Sequence, residues 1–321
     1  MLVADNKKVL ALCGGVGGAK LALGFKHSLP ADQLTVVVNT GDDFEHLGLT
    51  ICPDLDTVMY TLAGLNDAER GWGLAGETWN GLAALERLGG DTWFQLGDQD
   101  LATHLMRSQL LAQGYSLSAV TGHLCRKLEI DTQVLPMSDD PVRTLVGTEG
   151  GELAFQHYFV RDRCKPAVTG FRFDGIGTAQ PHPEFLELLQ GDALAAIVIC
   201  PSNPFVSVQP ILALPGVRDA LRQCGAPVVA VSPIVAGLAI KGPAAKMMED
   251  MSMPVSAAAV AGYYGSLLDG YILDEADAHQ AEEIESLGIK TLVVPTVMQG
   301  LQDRIDLAES AVQFSRSLVH E

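Results

Sequence analysis

The chain has 321 residues, of which 48% are hydrophobic and 19% are charged, so it holds enough apolar material for a core in one large or two modest domains. Its 39 acidic and 21 basic residues give a formal net charge of −18, which argues against a protein that binds nucleic acids or anionic membranes. No stretch approaches the roughly 18 apolar residues of a membrane span, and residues 1–8 lack the apolar run of a signal peptide, so we expect a cytoplasmic protein.

The first elements form one βαβ unit. Short apolar runs predict buried strands at residues 9–13 and 34–39, and a glycine-rich turn and an apolar helix lie between them. The crossover that joins two such parallel strands is expected to be right-handed.

The segment from residue 55 to residue 130 has a different character. Apolar residues recur at helical spacing in residues 81–88, 101–113 and 117–128, and no convincing strand interrupts them. The pattern predicts a helical domain or insertion over residues 55–130, with residues 1–54 and 131–321 forming the core domain.

Strand patterns return in the second half of the chain. Strands are predicted at residues 132–136, 153–160, 195–200, 228–231 and 291–294, and a closing amphipathic helix at 303–319. Strands that alternate with helices indicate an α/β fold with a mostly parallel sheet. The six cysteines form no C-x-x-C pair or zinc-like spacing, so we expect reduced thiols.

A glycine-rich turn directly follows the first predicted strand. Gly14, Gly15, Gly17 and Gly18 would let backbone N–H groups and a helix N-terminus approach a phosphate. The order of residues is not that of a P-loop. An equally reasonable interpretation is a tight turn in which glycine is needed only for packing.

Carboxylates cluster after the second predicted strand. Asn39, Asp42 and Asp43 follow the strand end, and Asp54 and Asp56 come shortly afterwards. Oxygen ligands at this density suit Mg²⁺, which we assign to Asp42, Asp54 and Asp56, with all four carboxylates as candidate catalytic groups. The alternative for Asp42 and Asp54 is a role in turns or helix caps.

Small polar residues follow later strands. Ser202 and Asn203 come after one strand, Ser232 follows the next, and Lys241 offers a cation near a helix start. Ligands bind at such strand exits in open α/β sheets, so we expect these residues to contact a substrate. Each of them could also be an ordinary turn residue or a solvated lysine.

The ordered set of motifs resembles the 2-phospho-L-lactate transferase family. The resemblance rests on residues 14–18 (GGVGG), 39–43 (NTGDD), 52–57 (CPDLDT), 96–100 (LGDQD), 136–140 (PMSDD), 201–204 (PSNP) and 232–234 (SPI). It implies a three-layer Rossmann-like fold with a smaller helical domain. The implied reaction is Mg²⁺-dependent transfer of a phospho-acid from a guanosine diphospho-acid donor to the deazaflavin Fo, with release of GMP, in coenzyme F-420 biosynthesis.

The resemblance also implies roles for single residues. The family's Fo-contacting aspartate falls on Asp56, and Gln95 stands where some members carry a lysine. The acid on the donor, whether lactate, enolpyruvate or glycerate, is not specified by the sequence. A homodimer is expected as the common default.

Two other functions compete with this one. A nucleotide-sugar-binding regulator of the related gluconeogenesis-factor type would share the glycine turn, and the carboxylates at positions 54 and 56 discriminate against it. A dinucleotide-dependent dehydrogenase is disfavoured because the glycine fingerprint is imperfect and Asp42 is off the usual ribose-binding position.

Overall fold

Seven aliphatic runs form one parallel sheet in the computed structural model, which describes residue 3 and residues 7–319. The predicted absence of a signal peptide in residues 1–8 falls largely outside the described residues. The described strands are β1 Lys8–Cys13, β2 Leu34–Val38, β3 Phe44–His46, β4 Leu49–Ile51, β5 Gln133–Pro136, β6 Arg143–Thr148, β7 Gly151–Ala154, β8 Val168–Asp174, β9 Leu194–Ile199, β10 Val228–Val231, β11 Ile234–Val235, β12 Leu238–Ala239, β13 Gly270–Leu273 and β14 Lys290–Val293.

Helices connect these strands. They are α1 Gly15–Ser28, α2 Pro53–Leu62, α3 Asn80–Arg87, α4 Asp98–Ala112, α5 Leu117–Lys127, α6 Pro183–Gln190, α7 Gln209–Ala213, α8 Val217–Gln223, α9 Ala244–Asp250, α10 Ala257–Tyr264, α11 Ala281–Glu285 and α12 Leu301–Leu318. Over the described ranges, no helix combines the length and the apolar character that crossing a bilayer requires.

The strand order of the sheet creates a crevice. The order is β14-β13-β10-β9-β1-β2-β5, and every neighbouring pair is parallel. The chain moves outward from β1 through β2 to β5, then returns to β9 and continues outward on the other side. The direction of winding therefore reverses between β1 and β9, and a ligand crevice is expected outside the carboxyl ends of these two strands.

Side chains of successive strand residues enter different cores. Val9, Ala11 and Cys13 of β1 pack in one apolar cluster with residues of α1, α2 and α12. Leu10 and Leu12 pack in the other cluster, with residues of α6, α8 and α10. The sheet is thus covered by helices on both faces, which confirms the predicted α/β, three-layer, Rossmann-like fold.

The helical segment is built as the sequence patterns predict. The predicted helices at 81–88, 101–113 and 117–128 correspond to α3, α4 and α5. The predicted domain boundary at residue 55 falls in the first turn of α2. Leu55 and Val58 of that helix, and Val120 and Leu124 of α5, pack in the same core as β1.

One predicted strand is wrong. The expected strand at 153–160 ends after β7, and a π-helical turn at His157–Arg161 follows. This turn places Phe155 and Phe159 on one side, with stacked rings 5.5 Å apart. Residues 143–174 instead form a separate antiparallel sheet of order β7-β6-β8, and neither it nor the short strand β13 was predicted.

The cysteines agree with the sequence prediction. All six are free thiols, and four of them are buried. Sγ of Cys13 and Sγ of Cys200, at the ends of β1 and β9, lie 3.5 Å apart without a disulfide bond.

Candidate functional site

A cavity of about 590 Å³ opens at the crevice between β1 and β9. It brings together most of the residues that the sequence singles out. The predicted site residues that line it are Gly14, Gly15, Gly17, Asp42, Asp54, Asp56, Gln95, Ser202, Asn203, Ser232 and Lys241. Gly18, Asn39 and Asp43 do not line it.

The glycine turn packs tightly against the loop after β9, and it also begins helix α1 at the cavity. The N–H of Gly14 donates to Oγ of Ser202 at 3.2 Å, and that hydroxyl donates to the Gly14 carbonyl at 2.9 Å. A Cβ at Gly17 would lie 2.0 Å from the carbonyl oxygen of Pro201, so only glycine fits there. The positive end of α1 lies at the cavity, because Gly15 and Gly17 line it. Gly18 packs against Cys13 and Ser202 beneath this turn.

Asp54 lies in the first turn of α2, which Pro53 begins. The side-chain amide of Asn39 donates to Oδ2 of Asp54 at 2.9 Å and so fixes the carboxylate. Burial raises the pKa of Asp54 from 3.8 to about 6, although the bond from Asn39 opposes this rise.

Asp42 faces the same cavity from the end of β2. Burial, and next the negative charge of Asp54, raise the pKa of Asp42 well above its ordinary value. Its Oδ1 atom is buried and accepts no hydrogen bond from any described residue. Two desolvated carboxylates that disfavour each other's charge form a site that a bound cation would stabilise, so Asp42 and Asp54 fit Mg²⁺.

Asp43 lies deeper than these two residues. It is buried away from the cavity, and burial raises its pKa from 3.8 to about 7. Its Oδ1 also has no hydrogen-bond partner among the described residues. The structure therefore gives Asp43 no direct access to a ligand in the cavity.

Asp56 has a different environment from the other three carboxylates. Both of its oxygens accept hydrogen bonds from the guanidinium of Arg107, which is 1% exposed. Asp56, Asp100 and His104 form the cluster of described residues whose ligand atoms lie close enough together to hold a metal. The guanidinium of Arg107 already supplies a positive charge at that cluster.

The polar residues after β9 and β10 use part of their bonding capacity on their own turns. Oδ1 of Asn203 accepts from the N–H of Phe205 at 3.0 Å, and Oγ of Ser232 donates to the carbonyl of Ile234 at 2.8 Å. The hydroxyl proton of Ser202 is likewise given to Gly14. The two hydroxyls keep a free acceptor lone pair, which suits N–H or O–H donors of a ligand better than phosphate oxygens.

Several cationic side chains that the sequence analysis did not single out line the cavity. Lys20 closes the glycine motif three residues after Gly17, on the same side of α1, and this helical spacing is the signal that could have found it. Burial lowers the pKa of Lys20, and the nearby charges of Arg304 and Lys241 lower it further. The positive groups thus lie close together, and Arg70 and Arg163 also line the cavity.

Aromatic rings also line the cavity. Trp93, Phe94, Phe155 and Phe159 line the cavity, and the last two are nearly parallel at 7°. The rings of Trp93 and Phe94 meet edge to face with centroids 5.7 Å apart. These rings offer faces and edges against which a flat ligand could pack. Phe155 and Phe159 were missed because their segment was predicted as a strand.

Comparison with known proteins identifies relatives over nearly the whole chain. A family model described as 2-phospho-L-lactate transferase CofD matches residues 9–296. A Streptomyces griseus protein named phosphoenolpyruvate transferase is 43% identical, and the alignment covers 97% of this chain and 99% of that protein. A Methanococcoides burtonii protein named 2-phospho-L-lactate transferase is 39% identical, with 95% and 99% covered.

Solved structures share the fold at much lower sequence identity. A crystal structure of a UPF0052 family protein from Bacillus halodurans has a TM-score of 0.62 and 16% identity, and the match covers 97% of this chain and all of that one.

Proposed function

Because this chain belongs to the CofD family of 2-phospho-L-lactate transferases, we propose that it moves a phospho-acid group from a guanosine diphospho-acid donor to Fo, releasing GMP, in cytoplasmic coenzyme F-420 biosynthesis. The observation that carries the proposal is the pair of desolvated carboxylates, Asp42 and Asp54, beside the glycine turn of a cavity that is lined by cations and by aromatic rings.

The donor would contact the cations of the cavity. The first turn of α1, Lys20 and Lys241 supply positive charge for the diphosphate. Ser202 and Ser232 keep acceptor lone pairs for N–H or O–H groups of the nucleoside, and Asn203 lies beside them.

Asp42 and Asp54 would hold the magnesium ion. When bound, Mg²⁺ supplies charge neutralisation at phosphoryl oxygens. Asn39 fixes Asp54 for this role, and Asp42 lines the same cavity with a buried Oδ1 that has no hydrogen-bond partner among the described residues. Asp56, which the sequence analysis assigned to Mg²⁺, is not among the proposed magnesium ligands, because Arg107 binds both of its oxygens.

The acceptor would contact the aromatic rings of the cavity. Phe155, Phe159, Trp93 and Phe94 would contact the flat ring system of Fo, and the ribityl chain would extend toward Asp56. In the transfer, the ribityl hydroxyl would give its proton to the carboxylate of Asp56 as its oxygen forms a bond to the phosphorus that carries the acid, the bridging P–O–P bond would break, and GMP would leave. Before the transfer, Asp56, which lines the cavity, would accept the hydrogen bond of the attacking hydroxyl.

The names of relatives favour one donor. The Streptomyces griseus and Kitasatospora aureofaciens proteins, both 43% identical to this chain, are named phosphoenolpyruvate transferases. We therefore propose the enolpyruvyl donor first and treat the lactyl and glyceryl donors as the alternatives.

The test is a reconstituted transfer. The protein is incubated with Mg²⁺, Fo and each of the three donors, GMP is quantified by chromatography, and the deazaflavin product is identified by mass spectrometry. We expect GMP and product in equal amounts, loss of both in Asp54→Asn, and no change in the exposed control Asp219→Asn. Absence of both products with all three donors would reject the proposal, and nucleotide binding that survives Asp54→Ala and Asp56→Ala without turnover would favour the regulator.

A further inference from the structure

A chain of polar side chains borders the cavity and ends at Asp56. Asp100, His104 and Arg107 occupy one face of α4 at spacings of four and three residues. All three are buried, and Arg107 is the largest polar side chain among the fully buried described residues. The hydroxyl of Tyr60, on α2, donates to Oδ1 of Asp100 at 2.7 Å.

Arg107 forms a bidentate interaction with Asp56 through two nitrogens of its guanidinium. Nη1 donates to Oδ2 of Asp56 at 3.1 Å, and Nη2 donates to Oδ1. This two-pronged geometry fixes the plane of the carboxylate as well as its position. Burial disfavours the charged form of Arg107, but the charge and hydrogen bonds of Asp56, together with Cys52 and Tyr60, raise the pKa of the guanidinium overall.

The next contact of Arg107 is with His104. Nη1 of Arg107 lies 3.2 Å from Nδ1 of His104, and a guanidinium can only donate, so Nδ1 must be the acceptor. Nε2 of the same ring lies 3.2 Å from Oδ2 of Asp100 but makes no hydrogen bond to any described residue. The hydroxyl of Tyr60 thus holds Asp100, and among the described residues Arg107 is the charged donor that binds Asp56.

A carboxylate held in this way is a poor metal ligand. A second cation at Asp56 would lie within a few ångströms of a fixed, desolvated positive charge. No described guanidinium or ammonium group makes an ion pair with Asp42 or Asp54. The remaining lone pairs of Asp56 border the cavity and can still accept a hydrogen bond.

We infer that Arg107 is a positioning residue for the acceptor: it orients Asp56 to accept a hydrogen bond from the acceptor hydroxyl and keeps Asp56 out of the metal-binding pair formed by Asp42 and Asp54. This inference rests on the proposed function and deepens it, since it separates the carboxylate that serves the acceptor from those that serve the metal.

The kinetic test compares Arg107→Lys with the wild-type enzyme. Lysine keeps the charge but cannot hold both oxygens, so the KM for Fo should rise by about tenfold or more, while the KM for the donor should change by less than about twofold. Arg126→Met, at an exposed position on α5, is the control and should change neither value. An equal rise in both KM values, or no rise in either, would overturn the inference.

A second pair of variants separates positioning from folding. If Arg107 acts through Asp56, Arg107→Lys in an Asp56→Asn background should add less than about twofold to the KM for Fo. Multiplicative effects of the two substitutions would show that Arg107 acts elsewhere. Circular dichroism and thermal unfolding establish that each variant compared is folded.

The metal test does not depend on turnover. Mn²⁺ binding in the presence of GDP is measured by electron paramagnetic resonance for Asp42→Asn, Asp54→Asn and Asp56→Asn. The first two should weaken Mn²⁺ binding by about tenfold or more, and Asp56→Asn by less than about threefold. Equal weakening in all three variants would overturn the inference even if the transferase reaction is found. A wild-type protein that binds Mn²⁺ in this pattern but makes no product would reject only the proposed reaction.

Discussion

The side chain of Asn39 joins the end of β2 to the first turn of α2, because its Nδ2 donates to Oδ2 of Asp54 at 2.9 Å. The same amide reaches the carbonyl of Val206 at 3.3 Å, and its Oδ1 accepts the N–H of Gly41 at 2.8 Å. Asn39 does not line the cavity, yet it holds one carboxylate and the turn that leads to the other.

Replacing Asn39 by alanine should therefore affect both stability and activity. Asn39→Ala leaves buried groups without partners, which should lower the free energy of unfolding by about 1–3 kcal/mol. It should also abolish most transferase activity, because Asp54 loses the donor that orients it. Urea unfolding and the GMP assay measure the two effects. Asn80→Ala, at the exposed start of α3, is the control, and full activity in a folded Asn39→Ala protein would contradict this role.

Asp43 should make the metal-free protein less stable as the pH rises. Its folded-state pKa of about 7 lies above the ordinary value of 3.8, so the folded chain binds more protons than the unfolded chain between these values. Stability from this group therefore falls as the pH rises through that window. Asp43→Asn removes the effect and should be more stable than wild type by on the order of 1 kcal/mol at pH 8, with no difference near pH 4.

Urea unfolding with EDTA at several pH values checks this prediction. The exposed control Asp219→Asn should not change the pH dependence. An Asp43→Asn protein that loses stability at pH 8 would show that the carboxylate has a stabilising partner there.

Lys20 should contribute to donor binding. Its Nζ donates to the carbonyl of Met298 at 3.1 Å, which holds the ammonium group at the cavity next to the charge of Lys241. Lys20→Gln should raise the KM for the donor by about tenfold, because hydrogen bonds to charged groups are the stronger ones. The KM for Fo should stay unchanged, as should both values in the exposed control Lys127→Gln. If Lys20→Gln raised only the KM for Fo, Lys20 would contact the acceptor and not the donor, contrary to the proposal.

The ring of Phe159 should contribute to acceptor binding. It is 38% exposed at the cavity and stacks on Phe155, so it offers an open face. Phe159→Ala should raise the KM for Fo about fivefold, since an aromatic pair contributes roughly 1 kcal/mol beyond burial. Steady-state kinetics measure this, and the exposed aromatic control Tyr115→Ala should have no effect. An unchanged KM for Fo would place the deazaflavin ring elsewhere.

The sequence predicts the parts of this molecule that depend on local patterns. The buried strands are recognisable because aliphatic runs end in polar or glycine turns, and this placed Asp42 and Asp54 at one edge of the sheet. The pairing of Asp56 with Arg107 joins residues 51 positions apart, and no local pattern encodes it. In α4 the polar residues Asp100, His104 and Arg107 are buried whereas Leu105 is exposed, so the polarity pattern of this helix indicates the wrong buried face.

Gly17 allows a direct test of the close contact between α1 and the loop that follows β9. At an unhindered position inside a helix, replacing glycine by alanine stabilises a protein by up to about 1 kcal/mol. At Gly17 the added Cβ would lie 2.0 Å from the carbonyl oxygen of Pro201, a backbone atom that cannot rotate away. Gly17→Ala should therefore destabilise the protein by about 1–3 kcal/mol.

Gly122 in α5 is the matched control for this substitution. A Cβ there would meet only Nη1 of Arg126, at an ordinary 3.5 Å, so Gly122→Ala should stabilise the protein. Opposite signs in urea unfolding would mean that the glycine turn is required by the close approach of α1 to the loop after β9. If both variants gained stability, the joint between β1 and β9 would have to be looser than the structure shows, and phosphate contact would be the remaining reason for glycine at this position.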